Sequence, residues 1–159
     1  RRQRQMCIRD RKEMEGIRTR VKNELMREDD THFDLKHGPG GSDDLDAIIQ
    51  QAQLMNAHTT PRLRTNNTFE ILAALYQEGV ITDEEYKALE NALYFYRTLL
   101  SRVRLFTGHA TKVLDTESPY AEKIAKIMGI GSVAELVEAL QRHRKEVLEI
   151  FQKRVTSSH

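Results

Sequence analysis

The chain has 159 residues, a net charge of +1 with 31% charged residues, and a single cysteine, Cys7. That length fits one domain with a real core, the near-neutral balance gives no reason to expect a nucleic acid or a membrane as partner, and one cysteine excludes an intramolecular disulfide framework. Apolar runs are too short to span a bilayer and no apolar segment follows the basic N-terminus, so cytoplasm is the expected location.

Tryptophan is absent and β-branched runs never alternate cleanly, while Ala, Leu, Glu, Lys, Arg and Gln dominate. This alphabet predicts an all-α protein with no strands, an antiparallel helical bundle of about six helices. Residues 1–9 are basic and have little apolar period, and 6–11 read like translated sequencing-adapter DNA, so 1–11 are set aside as a doubtful or disordered segment. The bundle domain is placed at 12–155, with 156–159 a frayed end. Met14, Ile17, Val21 and Leu25 form one stripe and predict a first helix over 10–29, ended by Asp29-Asp30-Thr31.

Next comes Phe33-Asp34-Leu35-Lys36-His37-Gly38-Pro39-Gly40-Gly41, a glycine-rich loop that opens a second helix over about 43–57. Ser42 is its expected N-cap, and Asp43 and Asp44 suit the positive end of the helix dipole. A third helix is predicted over 66–78, with Phe69, Leu72, Ala73 and Tyr76 inward and Gly79 as its stop. Thr82-Asp83-Glu84-Glu85 is a capping box for a fourth helix that ends near Gly108, with Leu89, Leu93, Tyr96, Leu100 and Val103 as a heptad-like stripe. Residues 108–118 read as a loop. Ser118-Pro119 starts a short helix with Ile124, Ile127 and Met128 on its apolar face and Gly129 as its stop. Ser132-Val133-Ala134-Glu135 caps the last helix, over 133–154, with Leu136, Val137, Leu140, Val147, Leu148 and Phe151 inward.

The glycine loop is the main candidate for chemistry. Glycine permits positive φ or close approach, and a helix N-terminus offers unpaired N–H groups to an anion. Lys36 with Gly38, Gly40 and Gly41 is therefore a candidate phosphate-facing element; a structural hinge between helices is the equal alternative, and Pro39 removes one donor from a backbone nest. It is not a Walker A element, because the lysine precedes the glycines. Asp43, Asp44 and Asp46 are hard oxygen ligands for magnesium, but carboxylates at a helix start more often answer the dipole. The six histidines, His32, His37, His58, His109, His143 and His159, show no zinc-type spacing and are expected at the surface. Tyr86, Tyr94, Phe95 and Tyr96 are expected mostly in the core rather than stacked on bases.

The stretch from Phe33 to Gly41, followed by Asp44-Leu45-Asp46 and Gln50, strongly resembles a signature of bacterial glutamine synthetase adenylyltransferase. Arg64-Thr65-Asn66-Asn67-Thr68, Tyr94-Phe95-Tyr96-Arg97, Arg102-Val103-Arg104-Leu105 and Ala125-Lys126-Ile127-Met128-Gly129 continue the likeness in register. Ser42, Asp46 and Ala47 depart from it, where that family has an apolar residue, a glutamate and a phenylalanine. The resemblance implies the helical domain that follows a nucleotidyltransferase domain, whose Gly-Ser turn and Asp-x-Asp pair hold two magnesium ions for AMP transfer from ATP. That element is not found here, so catalytic and metal-ligating residues are expected in the missing domain, with ATP and magnesium bound by the whole enzyme. Lys36, Gly38, Gly40, Gly41, Asp44 and Asp46 are the implied edge of the nucleotide site. The implied partners are the missing domain, glutamine synthetase and the PII signal protein. The related PII uridylyltransferase and a stand-alone helical interaction module are the alternatives.

Overall fold

The computed structural model describes residue 13, residues 28–108 and residues 110–156. The helix expected over 10–29, the cysteine, His109, His159 and the expected frayed residues 157–159 lie outside them, apart from Glu13, Glu28 and Asp29. The described residues contain five α-helices and one two-stranded sheet, so the chain is mostly helical.

The sheet corrects the expectation of no strands. Strand β1 (His32–Asp34) pairs antiparallel with β2 (Val113–Asp115), in the register His32 to Asp115, Phe33 to Leu114 and Asp34 to Val113. The second strand lies inside the stretch expected to be a loop. Asp29 leads into β1: its carboxylate accepts from the N–H groups of Thr31 and His32, at 2.9 and 2.8 Å.

Helix α1 (Ser42–Asn56) buries Leu45, Ile48, Ile49 and Ala52. Its N-cap is Gly41 rather than Ser42, and no side chain caps it. A 3-10 turn (Pro61–Leu63) leads to α2 (Thr68–Gln77), where Asn67 accepts from the N–H groups of Phe69 and Glu70. The buried face of α2 is Ile71, Leu72, Ala74 and Leu75, rotated from the expected one. Phe69 lies instead under the Arg97 guanidinium, 5.0 Å from its ring centre, and Tyr76 stacks on Tyr86 at 4.4 Å.

Helix α3 (Asp83–Thr107) begins at a complete Thr82–Glu85 capping box and ends at Gly108, whose φ of 71° is the left-handed conformation expected of a glycine stop. The short α4 (Pro119–Ile127) buries Ala121, Ile124 and Ala125 but leaves Ile127 exposed. The last helix, α5 (Val133–Phe151), continues into a π-helical turn (Gln152–Thr156). One apolar core joins the sheet and the five described helices, with Leu35, Leu45, Leu72, Tyr96, Leu99 and Leu114 fully buried within it. No helix among the described residues is long and apolar enough to cross a membrane.

Arg154 anchors the π-helical turn. Arg154 forks onto the Glu85 carboxylate, with Nε on one oxygen and Nη2 at 2.7 Å from the other, and donates to the Val80 carbonyl at 3.0 Å. The Arg154 hydrogen bonds hold the Glu85 carboxyl down at about 2, against an ordinary 4.5. The folded pKa is depressed, so this stabilisation is complete above pH 4.5 and is lost as the pH falls towards 2. Thermal melting of Glu85→Gln between pH 7 and pH 2 should accordingly show a shallower fall in Tm than the unaltered chain; parallel profiles would refute the coupling.

Candidate functional site

The loop between β1 and α1 is shaped by hydrogen bonds that close it on itself. Leu35 follows β1 and donates to the Lys112 carbonyl at 2.8 Å. The buried Asp34 carboxylate then accepts from the N–H groups of Lys36 and His37, at 3.1 and 2.8 Å. Gly38 donates to the Asp34 carbonyl at 3.1 Å, Gly41 to the Gly38 carbonyl at 2.9 Å, Ser42 to Leu35 at 2.9 Å and Asp43 to Lys36 at 3.1 Å. The Gly40 N–H donates to the Asp44 carboxylate at 2.8 Å. Every N–H from Lys36 to Asp43 is therefore taken by the chain itself, Pro39 having none. A phosphate nest needs such donors aimed outward; here they turn inward.

The glycines serve close approach. A Cβ on Gly40, whose φ is +69°, would run into the Arg144 main chain, with Cα at 2.7 Å and the carbonyl oxygen nearer still. On Gly38 it would strike the Asp34 carbonyl, Arg144 Nη2 at 2.5 Å and Glu28 Oε2 at 2.6 Å. On Gly41 it would meet three carbonyl oxygens of the loop at 2.8 to 2.9 Å. The loop is thus pressed directly against the backbone of α5.

Two side chains fasten it there. Arg144 is 4% exposed; its guanidinium forks onto the Glu28 carboxylate at 2.6 and 3.0 Å, and Nη2 also donates to the Asp34 carbonyl at 2.9 Å. Tyr96 reaches from α3 and its hydroxyl donates to the Gly40 carbonyl at 2.7 Å. Burial pushes the Tyr96 phenol well above its ordinary pKa, which keeps the O–H in place as a donor. Sequence reasoning placed Tyr96 in the core but missed its hydrogen bond, and it missed Arg144 altogether. The signal for Arg144 was present: it falls four residues after Leu140 and three before Val147, on the inward stripe of α5.

The expected site residues fall into two sets. Gly38, Gly40 and Gly41 are buried, as is Asp44, which holds the turn through the Gly40 N–H. Lys36 is exposed at the rim. Near it Asp43 lies 2.6 Å from His37 Nδ1, and Asp46 is half-buried. Burial, and then the charge of Asp43, raise the pKa of Asp46, against the opposing pull of Arg97 and Lys36. Lys36, Asp43, Asp46 and Arg97 therefore form one mixed-charge rim.

This rim does not fit a magnesium site. Asp43 is engaged by His37 and Asp44 by a buried glycine, and no three acidic, histidine or cysteine side chains among the described residues converge as ligands. Two histidines also depart from the expected surface placement: His37 and His143 are 6% and 7% exposed. Each is carried inward by its element, His37 by the closed loop and His143 by the inward stripe of α5.

Fold and loop together define a mostly helical domain whose glycine turn is a structural junction rather than a catalytic strand end. The family model described as GlnD PII-uridylyltransferase matches residues 13–155, and the chain belongs to that family. It is also similar to enzymes named bifunctional glutamine synthetase adenylyltransferase/adenylyl-removing enzyme. That of Xanthomonas campestris pv. campestris (strain B100) is 31% identical over 118 residues, 74% of this chain and 13% of the relative. That of Nitrosococcus oceani is 36% identical over 104 residues, 65% of this chain and 11% of the relative. That of Nitrosomonas eutropha is 28% identical over 140 residues, 88% of this chain and 15% of the relative. The chain thus spans about an eighth of the length of the curated relatives it matches.

Proposed function

We propose that this chain is the helical domain of a cytoplasmic nucleotidyltransferase that transfers AMP from ATP to a tyrosine of glutamine synthetase and removes it again, under control of the PII signal protein. The observation that carries this reading is the Phe33–Gly41 turn, set within a family match that runs over 13–155. The names of the curated relatives support glutamine synthetase as the target. In this reading residues 10–29, with their stripe of Met14, Ile17, Val21 and Leu25, supply a sixth helix to an antiparallel bundle.

The nucleotidyltransferase domain of the longer protein binds ATP and magnesium, and no group of ligands for a metal ion lies among the described residues. The contribution of this domain is an edge. Lys36 on the closed turn, with Asp46 beside it, faces the nucleotide end of the neighbouring domain. Gly38, Gly40, Gly41 and Asp44 hold Lys36 at a fixed place through the locks described above. A preset lysine is a point charge that answers a phosphate without reorganising.

The test is made in the longer protein that contains this chain. Lys36→Ala is expected to lower transfer of labelled AMP from ATP to glutamine synthetase by about 10-fold or more, the usual worth of a hydrogen bond to a charged group, with Tm unchanged. Unaltered transfer would remove the loop from the active-site edge. A second reading is favoured by the description of the family itself: UMP transfer to PII, with no AMP transfer, would make the domain part of a PII uridylyltransferase. Transfer of neither nucleotide would leave a non-catalytic interaction module.

A further inference from the structure

The outer end of the two-stranded sheet carries a titratable group that the glycine loop does not use. His32 is the first residue of β1 and stands opposite Asp115, the last residue of β2. Its ring lies between two carboxylates: Nδ1 is 3.0 Å from Asp29 Oδ1, and Nε2 is 3.6 Å from Asp115 Oδ2. The Thr31 hydroxyl, 2.9 Å from Nδ1, itself donates to Asp29. One carboxylate therefore comes from the segment before β1 and the other from the opposite strand.

The protons on the ring decide how many of these contacts it can make. An ionised carboxylate only accepts, and a neutral imidazole has one N–H. The Thr31 N–H, and then the His32 ring and N–H, hold the Asp29 carboxyl down at about 2, so it is ionised at neutral pH. A single ring proton is thus taken at Nδ1 by Asp29, and Nε2 then turns a lone pair towards Asp115. Only the doubly protonated ring presents an N–H to each carboxylate. The charges acting on His32 are those of Asp29, Asp115 and Glu117, the last just past β2, and all are negative.

We infer that His32 is a proton-operated clasp across the sheet: its doubly protonated ring ties Asp29 to Asp115 of the opposite strand, and loss of the Nε2 proton lets the outer end of the strand pair open. The hydrogen bond to Asp29, and then the three negative charges, raise the His32 pKa above its ordinary 6.5, against desolvation. The folded pKa is raised, so the clasp is complete below pH 6.5 and is lost as the pH rises through the folded pKa. Release is confined to the sheet, because the loop that follows is held from α5 by Arg144 and from α3 by Tyr96. The adenylyl-transfer reading does not enter this assignment.

The test reads the ring and the strand pair separately in the 159-residue chain. Ring resonances, identified as those of His32 by their loss in His32→Gln, are expected to titrate above 6.5 and to titrate lower in Asp115→Asn. The asparagine keeps an acceptor for the Glu117 N–H, which Asp115 Oδ1 receives at 3.0 Å. Hydrogen exchange then follows the Thr116 N–H, which donates to the Thr31 carbonyl at 2.9 Å beside the clasp. Its protection factor is expected to fall by about 2- to 5-fold between about pH 5 and about pH 8, the usual worth of an exposed ion pair. In His32→Gln and in Asp115→Asn that fall should vanish. A His32 pKa at or below 6.5, a pKa untouched by Asp115→Asn, or a fall in Thr116 protection that persists in either variant would each overturn the clasp.

Discussion

Gly40→Ala should lower the stability of the chain by about 3 kcal/mol, read as an early shift of the urea midpoint. Two costs add. A non-glycine residue at φ +69° carries about 1 to 2 kcal/mol of local strain. The new methyl must also displace the Arg144 main chain, which is helix backbone and cannot swing aside; such overpacking costs about 1 to 3 kcal/mol. Gly79→Ala is the matching control. Its φ is +74°, yet nothing lies within 4 Å of the added Cβ. It should therefore lose only the strain, about 1 to 2 kcal/mol. The difference between the two variants measures the closeness of loop and helix. Equal losses would mean that Gly40 is needed for its backbone angle alone, and that α5 can retreat without cost.

That comparison also marks the boundary of what the sequence discloses. Gly79, Gly108 and Gly129 are legible as helix stops because the rule is local: a glycine past the last apolar turn takes positive φ. The Thr82–Glu85 box and the Ser132 cap are legible for the same reason, since donor and acceptor are three residues apart. Gly40 shares the positive φ, but its reason lies in Arg144, more than a hundred residues away. The sheet is hidden for a related reason. Each strand has three residues, too few to show alternation, and the pairing joins Phe33 to Leu114 across about half of the chain. The face of α2 was misread because the rings of Phe69 and Tyr76 found other partners: Phe69 packs at the edge of the core beneath Arg97, and Tyr76 stacks on Tyr86. At the site, the residues of the loop were legible and the contacts that lock it were not, although Arg144 does fall on the inward stripe of α5.

Arg144 is the test of that lock, and its loss should be the most damaging single change. Arg144→Ala removes the partner of Glu28, whose carboxylate is largely buried, and leaves the Asp34 carbonyl without that donor. It also strips the guanidinium from over the Phe33 ring, 5.6 Å away. Breaking a buried ion pair by deleting one partner costs about 3 to 5 kcal/mol, because the other charge is left uncompensated. Glu28→Ala should cost less than Arg144→Ala, since the arginine keeps its bond to Asp34, and the double variant should cost less than the sum of the two by about 1 to 3 kcal/mol. Stability alone would not separate a lock from a generic core contact. Hydrogen exchange does, because the N–H groups of Gly38, Gly40 and Gly41 bond within the loop rather than to Arg144. If the arginine holds the turn closed, Arg144→Ala should hasten exchange at those three amides far more than at the amides of α3. Uniform acceleration would show that Arg144 supports the whole fold equally. Selective acceleration would show a turn held shut from one helix, with Lys36 at its tip fixed or freed by a contact made on the far side of the loop.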